Sequence, residues 1–113
     1  MSNTLVHLFH IILVGGLFLY VGINRTNIPK IMYPFLLGLG IVMIIYHTVK
    51  MYFYITHGKS YWVNAIHIFL VGPLLLYIGY YKDKTSRKYF ELLLLLAFSA
   101  VGYHGYYLLK GDE

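Results

Sequence analysis

A chain of 113 residues that is 59% hydrophobic, 19% aromatic and only 12% charged carries far more apolar side chain than a soluble domain of that length can bury. The class that remains is a membrane protein. With no cysteine it has neither a disulfide framework nor a thiolate metal site. Its net charge of +5 sits in short loops between apolar runs, so lipid headgroups rather than nucleic acid are the expected partner.

Met1 to Thr4 is a short polar start with no basic n-region and no small-residue cleavage site, which argues against a removable signal peptide. The first apolar run, about 5–23, is long enough to cross about 30 Å of hydrocarbon at about 1.5 Å per residue. Asn24 to Lys30 is polar and holds Pro29, so it reads as a turn. A second run covers about 31–54, with Pro34 in its first turn, where a missing N–H costs little. Ile55 to Tyr61, with His57-Gly58-Lys59-Ser60, is the next loop. The third run, about 62–81, contains Pro73 in mid-helix, where a kink is expected. Lys82 to Lys88 is the most charged stretch and must lie in water. The fourth run, about 89–109, ends in Lys110-Gly-Asp-Glu113. Four crossings joined by three short loops predict an all-α, integral membrane four-helix bundle, up-down-up-down, forming one membrane domain over 1–113 with both termini on one side.

Charge orients it. The first and third loops hold Arg25, Lys30, Lys82, Lys84, Arg87 and Lys88 against Asp83, and the other side has Lys50, Lys59 and Lys110 against Asp112 and Glu113. The positive-inside rule then makes those two loops cytoplasmic and the termini and central loop non-cytoplasmic. Trp62, Tyr52, Tyr54, Tyr61, Tyr106 and Tyr107 fall at the outer boundary and Tyr80, Tyr81 and Tyr89 at the inner one, as interfacial aromatic belts do.

The chain also repeats itself. His10-Ile-Ile-Leu-Val-Gly-Gly-Leu-Phe-Leu-Tyr-Val-Gly22 returns as His67-Ile-Phe-Leu-Val-Gly-Pro-Leu-Leu-Leu-Tyr-Ile-Gly79, and the interval from His10 to His67, 57 residues, also carries Tyr46-His47 onto Tyr103-His104. About 15 of 56 overlaid positions are identical. Two histidine pairs on one interval point to two tandem helical hairpins, about 1–56 and 58–113.

His10, His47, His67 and His104 each lie about five residues inside the outer end of a span, about 7 to 9 Å below the boundary, and so share one layer. A neutral imidazole in hydrocarbon still needs a donor and an acceptor satisfied, so these rings are expected to face the protein interior. The helical stripes below them are Met43, Gly40 and Leu36; Ala100, Ala97 and Leu93; Val14, Leu17 and Val21; and Val71, Leu74 and Ile78. His7 and Asn64, equivalent under the interval and one turn above, are candidate outer partners for the ring nitrogens, with Tyr46 and Tyr103 beside them. His7, like His57, also lies near enough to water to be solvated rather than a ligand. The pairs Gly15/Gly22 and Gly72/Gly79 suggest tight helix contacts, as do Gly38 with Gly40 and Gly102 with Gly105.

Three chemistries fit the histidine layer. Imidazole suits Zn, Cu and Fe, and two facing histidines can take both axial positions of a b-type haem, with electron transfer or sensing as the use. Glu91, the only acid inside an apolar run, is at the far end of the fourth span, so a zinc hydrolase is not expected. Alternatively the histidines pin helices in a structural protein that holds no ligand, each for about 0.6 to 2 kcal/mol. The third reading is a proton or ion channel or transporter, completed as a homo-oligomer, although the lower half of every stripe is aliphatic.

The runs His10 to Gly22, Val71 to Gly79 and Gly102-Tyr-His-Gly-Tyr106 resemble those of small multi-span membrane proteins of large DNA viruses of algae and protists. The resemblance covers most of the chain and brings no activity with it. It implies a virion or host-membrane location and raises the structural alternative, while the leading expectation is a haem or transition-metal site at His10, His47, His67 and His104.

Overall fold

In the computed structural model, residues 3 to 111 are described; Met1, Ser2, Asp112 and Glu113, which enter the polar start and the charge balance above, lie outside them. The fold is all-α. Helix α1 comprises Asn3–Phe9, a π-helical turn at His10–Val14, and Gly15–Asn24. Helix α2 is Met32–Thr56. Helix α3 comprises Trp62–Ile66, a second π-helical turn at His67–Val71, and Gly72–Tyr81, and α4 is Arg87–Lys110. Among the described residues these four are long and apolar enough to cross a membrane. Exposed Ile12, Leu13, Phe35, Val42, Ile45, Phe69, Leu95 and Phe98 form the kind of surface that water does not tolerate and lipid does.

The helices end where local chemistry stops them. Gly58, at φ +67, turns the chain out of α2, and the amide of Lys59 bonds back to the Tyr54 carbonyl. Arg25 and Lys82, one repeat interval apart, both end their helices at φ 54 and 55, a conformation L-residues rarely hold.

Contacts divide the chain into two compact units, one of residues 1–28 and 86–113, the other of 29–85. Unit 1 is therefore the pair α1/α4, and unit 2 is α2/α3. Each unit takes one helix from each sequence repeat. Both pairs run antiparallel, and the packing of one is echoed in the other. A side chain at Gly15 would strike Val101 and one at Gly22 would strike Leu94; in unit 2, Gly72 meets Ile44 and Gly79 meets Leu37. Every one of these partners corresponds under the repeat interval. Of the expected stripes, Val21, Leu93 and Ala97 in unit 1 and Leu36, Gly40, Val71, Leu74 and Ile78 in unit 2 are buried, joined by Phe18 and Phe90 and by Tyr33 and Leu75, whereas Val14, Leu17, Met43 and Ala100 are only half-buried.

Gly40 belongs to this packing, with the Gly72 carbonyl 3.1 Å from where its Cβ would be. Gly38, Gly102 and Gly105 do not. Nothing lies within 4 Å of a Cβ built on any of the three, so the expectation of tight contacts there is corrected: each points away from its helix partner.

Candidate functional site

The π-helical turns set the position of one stacked histidine in each unit. His10 and His67 open them, and the amides of Gly15 and Gly72 bond back to the carbonyls of His10 and His67, five residues earlier. Such a turn is wider than an α-turn and is commonly found where a side chain has to be presented out of register. The π-helical turn before Pro73 does not depend on proline. Unit 1 makes the same turn with Gly16 in the equivalent place.

In unit 1 the ring of His10 stacks on that of His104, centroids 4.2 Å apart and planes 19° from parallel. His10 donates its Nδ1–H to the Val6 carbonyl at 2.8 Å. The Nδ1 of His104 meets the Nδ1 of His7 at 2.7 Å, so one ring donates and the other accepts. Tyr107 stacks on the far side of His7 at 6.2 Å, and Tyr103 stands edge-on to His104. His7 is 7% exposed, which corrects its placement in water. By contrast His57 is exposed, bonded to the Phe53 carbonyl and stacked on that ring.

Unit 2 has the same plan with different chemistry. His47 stacks on His67 at 4.0 Å and 17°, and His67 donates its Nδ1–H to the Val63 carbonyl at 2.7 Å. His47 Nδ1 lies 2.8 Å from Oδ1 of Asn64. An amide oxygen only accepts, so His47 must donate, and the proton is fixed on its Nδ1. Asn64 is 3% exposed. Tyr46 is edge-on to His47 and exposed.

His7 and Asn64 thus contact ring nitrogens as their spacing suggested, but they bond the histidine of the neighbouring helix rather than that of their own. Of the four histidines of the expected layer, the structure brings His10 to His104 and His47 to His67. Rings in contact at 4.0 to 4.2 Å admit no macrocycle between them.

Two features of these units escaped the sequence reading. Lys50, the counterpart of Tyr107 under the repeat interval, sets its ammonium 5.4 Å from the ring centroids of Tyr46 and Tyr54, a cation held on aromatic faces. At the loop end of unit 2 the hydroxyls of Tyr33 and Thr85 are buried with no hydrogen-bond partner among the described residues. The signal for both was the repeat itself, read for where its halves differ instead of where they agree.

No family model matches the chain, and no curated protein or solved structure does either.

Proposed function

We propose that the chain is an integral multi-pass membrane protein with a structural role, in which buried imidazoles fasten helix to helix within each unit. Four helices of membrane-spanning length and hydropathy support the location. The observation that carries the role is the pair of cross-helix bonds, His47 to Asn64 and His104 to His7, each closing the end of an antiparallel helix pair. Lipid provides no competing partner for these groups, so the bonds hold where water would exchange them. The viral resemblance points to a virion or host membrane, and the basic first and third loops to a cytoplasmic or inward position for those loops.

A double-mutant cycle tests the role. His47→Ala and Asn64→Ala, alone and together, are expected to show a coupling of about 0.6 to 2 kcal/mol in unfolding from detergent micelles, with absorption spectra featureless above the aromatic band. A Soret band, or a metal retained in stoichiometric amount and lost on replacing His10, His47, His67 or His104, would overturn the structural role in favour of a haem or metal site. Because the chain has no cysteine, Ser60→Cys and Ser86→Cys give clean single labels. Opposite accessibility of the two in sealed vesicles is expected.

A further inference from the structure

Unit 2 gathers positive charge at the end that carries the central loop. Lys50, near the end of α2, sets its ammonium 5.4 Å from the centroid of the Tyr54 ring, and Lys59, just past the turn at Gly58, sets its own 5.6 Å from the same centroid. The turn is what brings them together. Gly58 lies at φ +67 and the Lys59 amide bonds to the Tyr54 carbonyl at 2.9 Å, so the second lysine is returned to the ring that the first already faces. The single carboxylate of unit 2, Asp83, is at the opposite end, beyond α3. Two like charges on one ring repel, and the aromatic face offsets only part of that cost. An ammonium has donors and no acceptor, and contact with a ring leaves some of those donors turned outward.

We infer, given the membrane location proposed above, that Lys50 and Lys59, with the Tyr54 hydroxyl as a third donor, form a binding site for a phosphate group carried on the headgroup of an anionic phospholipid. Phosphate oxygens accept charge-assisted hydrogen bonds from both ammonium groups, and the anion relieves the repulsion between them. The depth of the site favours a lipid over free phosphate as the source. Lys50 is three residues beyond His47 on a helix of membrane-spanning length, where a long basic side chain reaches to headgroup level. Exposed Val42, Ile45 and Val49 lie below it on the same helix, an apolar surface for the acyl chains of the lipid whose phosphate is held above.

Among its described residues unit 1 has no equivalent. Tyr107 stands in the place of Lys50 and Gly111 in that of Tyr54. Lys110 is the one ammonium on Tyr106, 5.2 Å from the ring centroid, and it donates to the hydroxyl of that same residue at 2.9 Å. The paired charge on a shared ring thus belongs to unit 2, and Lys110 serves as the control for a basic side chain that merely sits at the membrane boundary.

The test is native mass spectrometry of the full chain in a non-ionic detergent, titrated with phosphatidylglycerol and, separately, with diacylglycerol of the same acyl chains. The first phosphatidylglycerol is expected to bind about tenfold more tightly than diacylglycerol, and Lys50→Gln and Lys59→Gln each to weaken that binding about tenfold. Tyr54→Phe is expected to weaken it about threefold, and Lys110→Gln to leave it unchanged. Equal binding of the two lipids overturns the site without reliance on any variant. Equal losses from Lys110→Gln and Lys50→Gln overturn it too, as the sign of a diffuse basic belt. Inorganic phosphate binding the lipid-free chain as tightly as phosphatidylglycerol does would overturn the lipid as the source. None of these results touches the coupling between His47 and Asn64, which is measured without added lipid, so failure of this site and failure of the structural role are told apart.

Discussion

Unit 1 and unit 2 share a helix pairing, a π-helical turn and an imidazole stack, and they part company at their two ends. At the histidine end unit 1 has His7 and Tyr107 where unit 2 has Asn64 and Lys50. At the loop end unit 2 is the more polar: unit 1 buries Ile28 and Phe90, and unit 2 buries the hydroxyl-bearing Thr85 and Tyr33 in the equivalent positions. The shared middle is what holds two apolar helices together without help from water. The polar differences lie at the ends: at the histidine end each buried polar group has a partner, and at the loop end the Tyr33 and Thr85 hydroxyls have none among the described residues. Packing thus constrains the centre of each pair, and the ends are free to acquire separate chemistry.

The sharpest way to break the comparison is through the matched glycines, because they meet equivalent residues through different atoms and at different distances. At Gly22 an added methyl would lie 2.7 Å from Cγ of Leu94, a side chain that can turn aside in part, and 3.2 Å from the Phe90 carbonyl. At Gly79 it would lie 2.7 Å from the Leu37 amide nitrogen and 2.8 Å from the Tyr33 carbonyl, and backbone cannot. Gly79→Ala is therefore expected to cost about 3 kcal/mol and Gly22→Ala about 1 kcal/mol in detergent-induced unfolding, the upper and lower ends of the range for overpacking. Equal costs would mean that the helices of unit 2 separate as readily as those of unit 1. Gly38→Ala is the control, expected to be neutral or slightly favourable, since its Cβ meets nothing.

A smaller effect of the opposite sign is expected at the loop end. Tyr33→Phe and Thr85→Ile give unit 2 the side chains of unit 1 and remove hydroxyls buried without a partner among the described residues. Each is expected to raise resistance to unfolding by about 1 kcal/mol, the low end of what an unpaired buried hydroxyl costs. A loss of stability instead would show that the hydroxyls are held by ordered water, and that unit 2 is wet at that end where unit 1 is dry.

How much of this was legible in the sequence follows from the physics of each part. Span limits came within one or two residues of the helix ends because charged and polar residues leave hydrocarbon abruptly. Even the choice of buried stripe at Leu36, Gly40, Leu93 and Ala97 follows from helical spacing once the histidines are assumed to face inward. The partner of each helix was not legible. A repeat in sequence suggests that α1 pairs with α2, but matched apolar faces are interchangeable, and the structure pairs α1 with α4 and α2 with α3. For the same reason His7 and Asn64 were recognised as ring partners while the ring each would meet was not. Gly38, Gly102 and Gly105 were misread because spacing identifies a face without saying whether anything packs on it.

The finest distinction lies at the position after the π-helical turn, where unit 2 has Pro73 and unit 1 has Gly16. Both units make the turn, so proline is compatible with the backbone there, where it follows directly on the π-helical turn within one continuous helix. A Cβ at Gly16 meets nothing within 4 Å. Gly16→Pro is therefore expected to stabilise unit 1 by about 0.5 kcal/mol, through the freedom it removes from the unfolded chain. The opposite result, a fall of a kilocalorie or more, would mean that the Gly16 amide makes a bond that unit 2 does without. The two π-helical turns would then be alike in outline while differing in how they are held, and the interval that relates His10 to His67 would stop short of the hydrogen bonds beneath them.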